Sequence, residues 1–191
     1  MARPTLHDAA LRERLLEVTA DLVDREGPAR VSLRQVAAAA DTSTTAVYSL
    51  FGGKGQLLAA VMDSGFASFG ASQRAAAGGG LEALGLAYRD WALAHPALYR
   101  LMFGGALAVP ADCSPDAEAA GNSMAPLREA IADGQASGTL RKAPLEVIAV
   151  SIWGQVHGLV SLELAQVGPP GADWESAYRA ALQAVARAWA A

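Results

Sequence analysis

From Leu6 to Glu26, the apolar residues Leu11, Leu15, Val18 and Leu22 recur at steps of four, three and four. This is one stripe of a 3.6-residue period and predicts an amphipathic helix. Gly27-Pro28 ends it, because glycine accepts the left-handed backbone at a helix C-terminus and proline cannot continue a helix. Ser32 is followed three residues later by Gln35, the spacing of a capping box, so a short second helix starts at Leu33. Its apolar face, Leu33, Val36, Ala37 and Ala40, is small-sided and lets a neighbouring helix cross closely. The run Asp41-Thr42-Ser43-Thr44-Thr45 then breaks the period with short polar residues that favour turns and N-caps. A third helix is predicted over residues 44–51, with Ala46, Val47, Leu50 and Phe51 inward and Thr44, Thr45, Tyr48 and Ser49 outward. Gly52-Gly53-Lys54-Gly55 stops it. A fourth helix, about 54–69, turns Leu57, Leu58, Val61 and Met62 to the core, and the Ala-Gly stretch 75–80 predicts a linker.

Beyond that stretch the pattern predicts helices over 81–94, from Pro96 through Phe103, and over 117–137, with an irregular segment from 106 to 115 between the last two. Residues 145–167 form the most apolar helix, with Val147, Val150, Ile152, Val156, Leu159 and Leu162 spread around its circumference, so more than one face needs cover. The last helix follows Asp173, a plausible N-cap, and places Trp174, Tyr178, Leu182, Val185 and Trp189 on one stripe.

Composition agrees with this pattern. Alanine is the commonest residue and Val and Ile are scarce, which favours helix over strand. The fold class expected is all-α. A charged fraction of 18% excludes a disordered polyelectrolyte, and no uninterrupted apolar run reaches the roughly 18 residues of a membrane span. No membrane partner is therefore expected. The N-terminus lacks the apolar segment of a signal peptide and the one cysteine, Cys113, cannot pair within the chain, so a cytoplasmic location is expected. The net charge of −4 lies entirely beyond residue 60, because residues 1–60 hold seven basic and seven acidic groups. The first segment can approach an anion and the remainder is repelled by one.

Residues 32–54 combine a capped short helix, a polar turn and a second short helix. Two helices at this spacing form either a plain polar-capped hairpin or a helix-turn-helix, whose second helix lies in the DNA major groove. The hydroxyls of Thr42, Ser43, Thr44 and Thr45 suit phosphates and base edges, and Tyr48 adds a hydroxyl on a flat apolar ring. Arg34 and Lys54 bracket this face with two cations. The positions Leu11, Gly27, Ser32, Val36-Ala37, Ala40, Ser43, Val47-Tyr48, Phe51, Lys54 and Leu57-Leu58 together resemble the N-terminal domain of tetracycline-repressor-like (TetR family) transcription regulators. That resemblance implies a three-helix DNA-reading domain over 1–53 and a helical ligand-binding and dimerisation domain over 54–191, whose connector helix covers about 54–69. It also implies a homodimer, with DNA contacts at Arg34, Thr42, Thr44, Thr45, Tyr48 and Lys54. Asp41 stands where the family usually has Gly in the turn, and Leu50 where it often has His.

The second half resembles a subfamily with a Trp-His-Gly signature, carried here by Trp153, His157 and Gly158, with the segment from Trp91 to Phe103 as its usual companion. Trp153 and His157 are four apart and share a helical face, so His157 either lines a cavity or is a satisfied core histidine. By chemistry the ligand-binding candidates are Trp91, Tyr99, Met102, Phe103, Met124, Trp153 and His157. Helices 145–167 and 173–190 are the candidates for a self-complementary dimer interface, unless Trp174 and Trp189 cover their own core.

No metal-ligand cluster, phosphate-binding glycine loop or nucleophile elbow appears, and His7, His95 and His157 are dispersed. Cys113 is expected at the surface with no activating cation nearby. No catalytic group, metal or cofactor is expected. The function expected is a regulator, by family default a repressor, that binds a palindromic double-stranded DNA operator as a homodimer and is released by a small, mainly apolar effector. The alternative is a helical small-molecule-binding or scaffold protein that does not touch DNA.

Overall fold

The computed structural model describes residues 6–103 and 113–191, and every regular element among them is helical. They are α1 (Leu6–Glu26), α2 (Leu33–Ala39), α3 (Thr44–Phe51), α4 (Lys54–Ala76), α5 (Gly80–Ala94), α6 (Pro96–Phe103), α7 (Ala117–Ser123), α8 (Ala125–Ser137), α9 (Leu145–Leu164) and α10 (Trp174–Trp189). A 3₁₀ turn, Ala77–Gly79, joins α4 to α5. Most of the irregular segment expected at 106–115 lies outside the described residues.

Three expected helix bounds need correction. The fourth helix runs past Phe69 to Ala76, and the stretch read as a linker is the end of that helix and a 3₁₀ turn, because alanine holds a helix until Gly80 takes φ 70°. The helix expected over 117–137 is two, broken at Met124, because Pro126 has no N–H to donate back and its ring crowds the preceding turn. The apolar helix ends at Leu164 rather than Val167, with Gln166 at φ 56°. By length and composition α9, with a mean hydropathy of 1.4 over 18 residues, is long and apolar enough to cross a membrane, as the core helix of a soluble protein also can be.

Two compact units divide the chain: residues 1–67 with 95–120, and residues 68–94 with 121–191. In the first, Leu15, Val23, Val36, Val47, Leu57, Leu58 and Val61 form the core, and Cys113 is buried in it rather than at the surface. Gly65 permits α6 to approach α4, since a Cβ there would meet Met102 Sδ at 2.6 Å. The Asp24 carboxylate of α1 accepts from the Ala97 N–H at 2.9 Å and so caps the start of α6.

In the second unit, α5, α8, α9 and α10 pack around Ile131, Ile148, Ile152 and Val185. Here α10 spends its apolar stripe internally: Tyr178, Leu182 and Val185 are buried, and Tyr178 Oη donates to the Gly85 carbonyl at 2.7 Å. The polar groups of α9 are also used within the unit. Gln155 donates to the Ala181 carbonyl, and Glu163 receives a bidentate pair from Arg89 at 2.6 and 2.8 Å. Both members of that pair are only 13–14% exposed, and the hydrogen bond to Glu163 holds the guanidinium above its ordinary range.

Candidate functional site

The turn between α2 and α3 is built from backbone hydrogen bonds and short side-chain caps. Ser32 and Gln35 form the capping box at the start of α2: the Gln35 N–H donates to Ser32 Oγ at 3.3 Å and the Ser32 N–H to Gln35 Oε1 at 3.0 Å. At the other end of α2, the Thr42 N–H donates to the Ala37 carbonyl at 2.9 Å and the Asp41 N–H to the Ala38 carbonyl at 3.2 Å, the paired bonds of a Schellman ending. Asp41 takes the left-handed conformation this ending demands, at φ 52°. Asp41 stands where the resemblance implies glycine, and its short side chain tolerates that region. Ser43 then caps α3, its Oγ accepting from the Ala46 N–H at 3.1 Å, and Gly52 at φ 84° closes the helix.

This construction sorts the side chains of α3. Val47 and Phe51 are buried, while Ser43, Thr45, Tyr48 and Ser49 are exposed. Tyr48 is 56% exposed, a large aromatic held at the surface of a helix only two turns long. Arg34 is exposed on α2, and Thr42 and Thr44 are half-buried. Lys54 is half-buried, with Nζ donating to the Ala29 carbonyl at 3.0 Å, which occupies one of the three donors of the ammonium. The seven residues proposed from sequence as DNA contacts therefore lie on α2, the turn, α3 and the start of α4, all in the first unit.

The ligand-binding candidates divide between the units. Tyr99, Met102 and Phe103 belong to the first, where Phe103 stacks edge-on to Phe66 at 5.6 Å and lies 5.2 Å from Tyr99. The second unit contains a cavity of about 20 Å³ lined by Met124 and Trp153 together with Phe69, Gln73, Tyr88 and Ser123, and otherwise by aliphatic residues. That volume holds about one water molecule. Trp91 stands behind the wall, 5.3 Å from Phe69, with its indole N–H donating to Ser68 Oγ. His157 also stands behind it, Nδ1 lying 2.9 Å from the hydroxyl of Tyr88, and its burial pushes the imidazole pKa down. Phe69, Gln73 and Tyr88 were not singled out from sequence. Ile152 and Val156 flank Trp153 at helical spacing and were legible as its neighbours, but nothing in the chain's pattern brings α4 and α5 to that face.

Residues 15–61 match the family model described as bacterial regulatory proteins, tetR family, and residues 81–185 match the model described as tetracyclin repressor-like, C-terminal domain. Neither description specifies a Trp-His-Gly subtype. No curated protein matches the chain. Among solved structures, the chain is similar to a protein with unknown function from Rhodococcus sp. RHA1, at 28% identity and TM-score 0.84 over 99% of this chain and 100% of that one. It is similar also to SCO4313, described as a candidate regulatory protein, at 29% identity and TM-score 0.80 over 96% and 98%. A TetR family transcription regulator from Marinobacter aquaeolei VT8 shares the fold at 21% identity and TM-score 0.70, over 96% and 97%.

Proposed function

Because the chain belongs to the TetR family, whose members are DNA-binding regulators and not enzymes, we propose that it is a ligand-responsive repressor acting as a homodimer on a palindromic operator. In this reading residues 1–53 read DNA, residues 54–191 bind ligand and dimerise, and the chain works in the cytoplasm, where its operator is. The observation that carries it is Tyr48, exposed on a rigidly capped α3 between Thr45 and Ser49. An aromatic hydroxyl so placed offers a hydrogen bond and apolar contact to a groove, while Arg34 and Lys54 supply charge to the flanking phosphates together with the hydroxyls of Thr42, Ser43 and Thr44.

For the dimer, α9 leaves Val147, Val150 and Leu162 exposed, which favours α9 over the internally used stripe of α10 as the main contact. The effector is a small, mainly apolar molecule held in the second unit, where Met124 and Trp153 line the cavity and Trp91 and His157 support it. Trp153, His157 and Gly158 are proposed to mark the Trp-His-Gly subtype. Release follows if the effector binds better to a dimer whose reading heads no longer match the half-site spacing of about 34 Å.

The test is to capture bound fragments from sheared genomic DNA with the purified protein and to measure affinity for the enriched site by fluorescence anisotropy. Tyr48→Ala is expected to weaken specific binding at least tenfold while leaving the melting temperature unchanged. Undiminished specific binding by that variant overturns the assignment of α3 as the reading helix.

A further inference from the structure

Gln73, on the second half of α4, is 5% exposed, and among the described residues its Nε2 has no hydrogen-bond partner. It lines the cavity of the second unit. A buried amide donor left unmet costs stability that a methionine of nearly the same shape would not cost. The remaining polar chemistry of the wall is sparse. Besides Gln73 it consists of the Ser123 hydroxyl, the Trp153 indole N–H and the Tyr88 hydroxyl, which faces His157, and no lining residue carries a formal charge. An ionised ligand brought here would therefore lose its hydration with no counter-ion to replace it. Phe69, Tyr88 and Trp153 supply flat apolar surface instead.

We propose that Gln73 is the polar anchor of the effector site and that the effector is a neutral, aromatic or ring-bearing molecule with one carbonyl-type acceptor, which receives the Gln73 amide hydrogen. This rests on the effector-responsive reading above and narrows it to a ligand class. The cavity has room for about one water, so a ring enters by displacing side chains. Met124 is the residue placed to yield: it is half-buried, has three rotatable bonds, and sits in the break between α7 and α8.

The experiment uses the full chain and three probes of similar size: acetophenone, ethylbenzene and benzoate. Dissociation constants are measured by tryptophan fluorescence and calorimetry for the natural protein and for Gln73→Met. Since the two neutral probes differ in hydrophobicity, the quantity read is the change in their ratio between the two proteins. The substitution is expected to shift that ratio about fivefold against acetophenone, to leave ethylbenzene binding within twofold, and to leave the melting temperature equal or higher. Benzoate is expected to bind more weakly than acetophenone to the natural protein. An unshifted ratio, or a lowered melting temperature showing that the amide holds the fold, overturns the proposal. So does benzoate binding the tightest. As a measurement independent of any variant, the side-chain amide resonance of Gln73 should move with acetophenone and not with ethylbenzene; equal movement overturns the proposal. All these readouts are of the protein without DNA, so a failure to bind or release DNA counts against the regulator reading and leaves the anchor assignment intact.

Discussion

His157 shows how much a single residue's role depends on what faces it. Its spacing from Trp153 places both on one side of α9, as sequence alone supplies, and in the structure their rings lie 5.4 Å apart. The phenol of Tyr88, 69 residues earlier, is the partner that sequence does not supply. With Nδ1 unprotonated, the Tyr88 hydroxyl donates to it, and burial favours this neutral imidazole. The folded-state pKa is therefore depressed, so as pH falls below the unfolded value of about 6.5 the unfolded chain takes up the proton first. Stability from this group is complete above that pH and lost below it. Melting curves from pH 8 to 5 are expected to show a falling midpoint below pH 6.5, with a shallower fall in His157→Gln. The same slope in both proteins would assign the loss to other groups.

At the scale of elements, the turn before α3 was legible because its signals are local. Capping, the Schellman ending and the stop at Gly52 each involve residues within six positions of one another. Asp41 is the exception to the usual turn chemistry, and its positive φ is a cost the residue tolerates rather than one it removes. Asp41→Gly is expected to be neutral or slightly stabilising in urea melts, and Asp41→Val to destabilise by about 1–2 kcal/mol, because a β-branched side chain clashes there. Equal stability of the two variants would mean the backbone relaxes out of the left-handed region. Signals of the same local kind mislead further along: the Ala-Gly stretch predicts a linker where alanine continues the helix, and the apolar period around Pro126 hides the break at Met124.

For the whole molecule, α9 is the element that leaves large apolar side chains exposed at Val147, Val150 and Leu162. Its inner residues Ile148, Ile152, Val156 and Val160 are buried, while Val150 remains 59% exposed on the opposite side. Under the proposed homodimer, Val150→Glu is expected to shift the protein from dimer to monomer in sedimentation and to abolish operator binding, with helical content unchanged. A variant that stays dimeric would place the interface elsewhere. The division into compact units also belongs to this scale. The boundary falls inside α4, at 67/68, and returns residues 95–120 to the first unit, so Tyr99, Met102 and Phe103 are packed with the N-terminal helices although their chemistry resembles that of the cavity wall.

What the sequence by itself determined is everything governed by short-range periodicity and capping: the all-helical class, the ends of α1, α2, α3, α5 and α6, and the face of α3 that carries Tyr48. Tertiary structure alone decided that Met124 and Trp153 line one cavity, that Gln73 and Tyr88 join them, and that Arg89 meets Glu163 across 74 residues. The physical reason is that helix formation is a matter of neighbours within a few residues. A cavity wall, by contrast, is the meeting of several helices whose relative placement is fixed only by the burial of their apolar faces against one another.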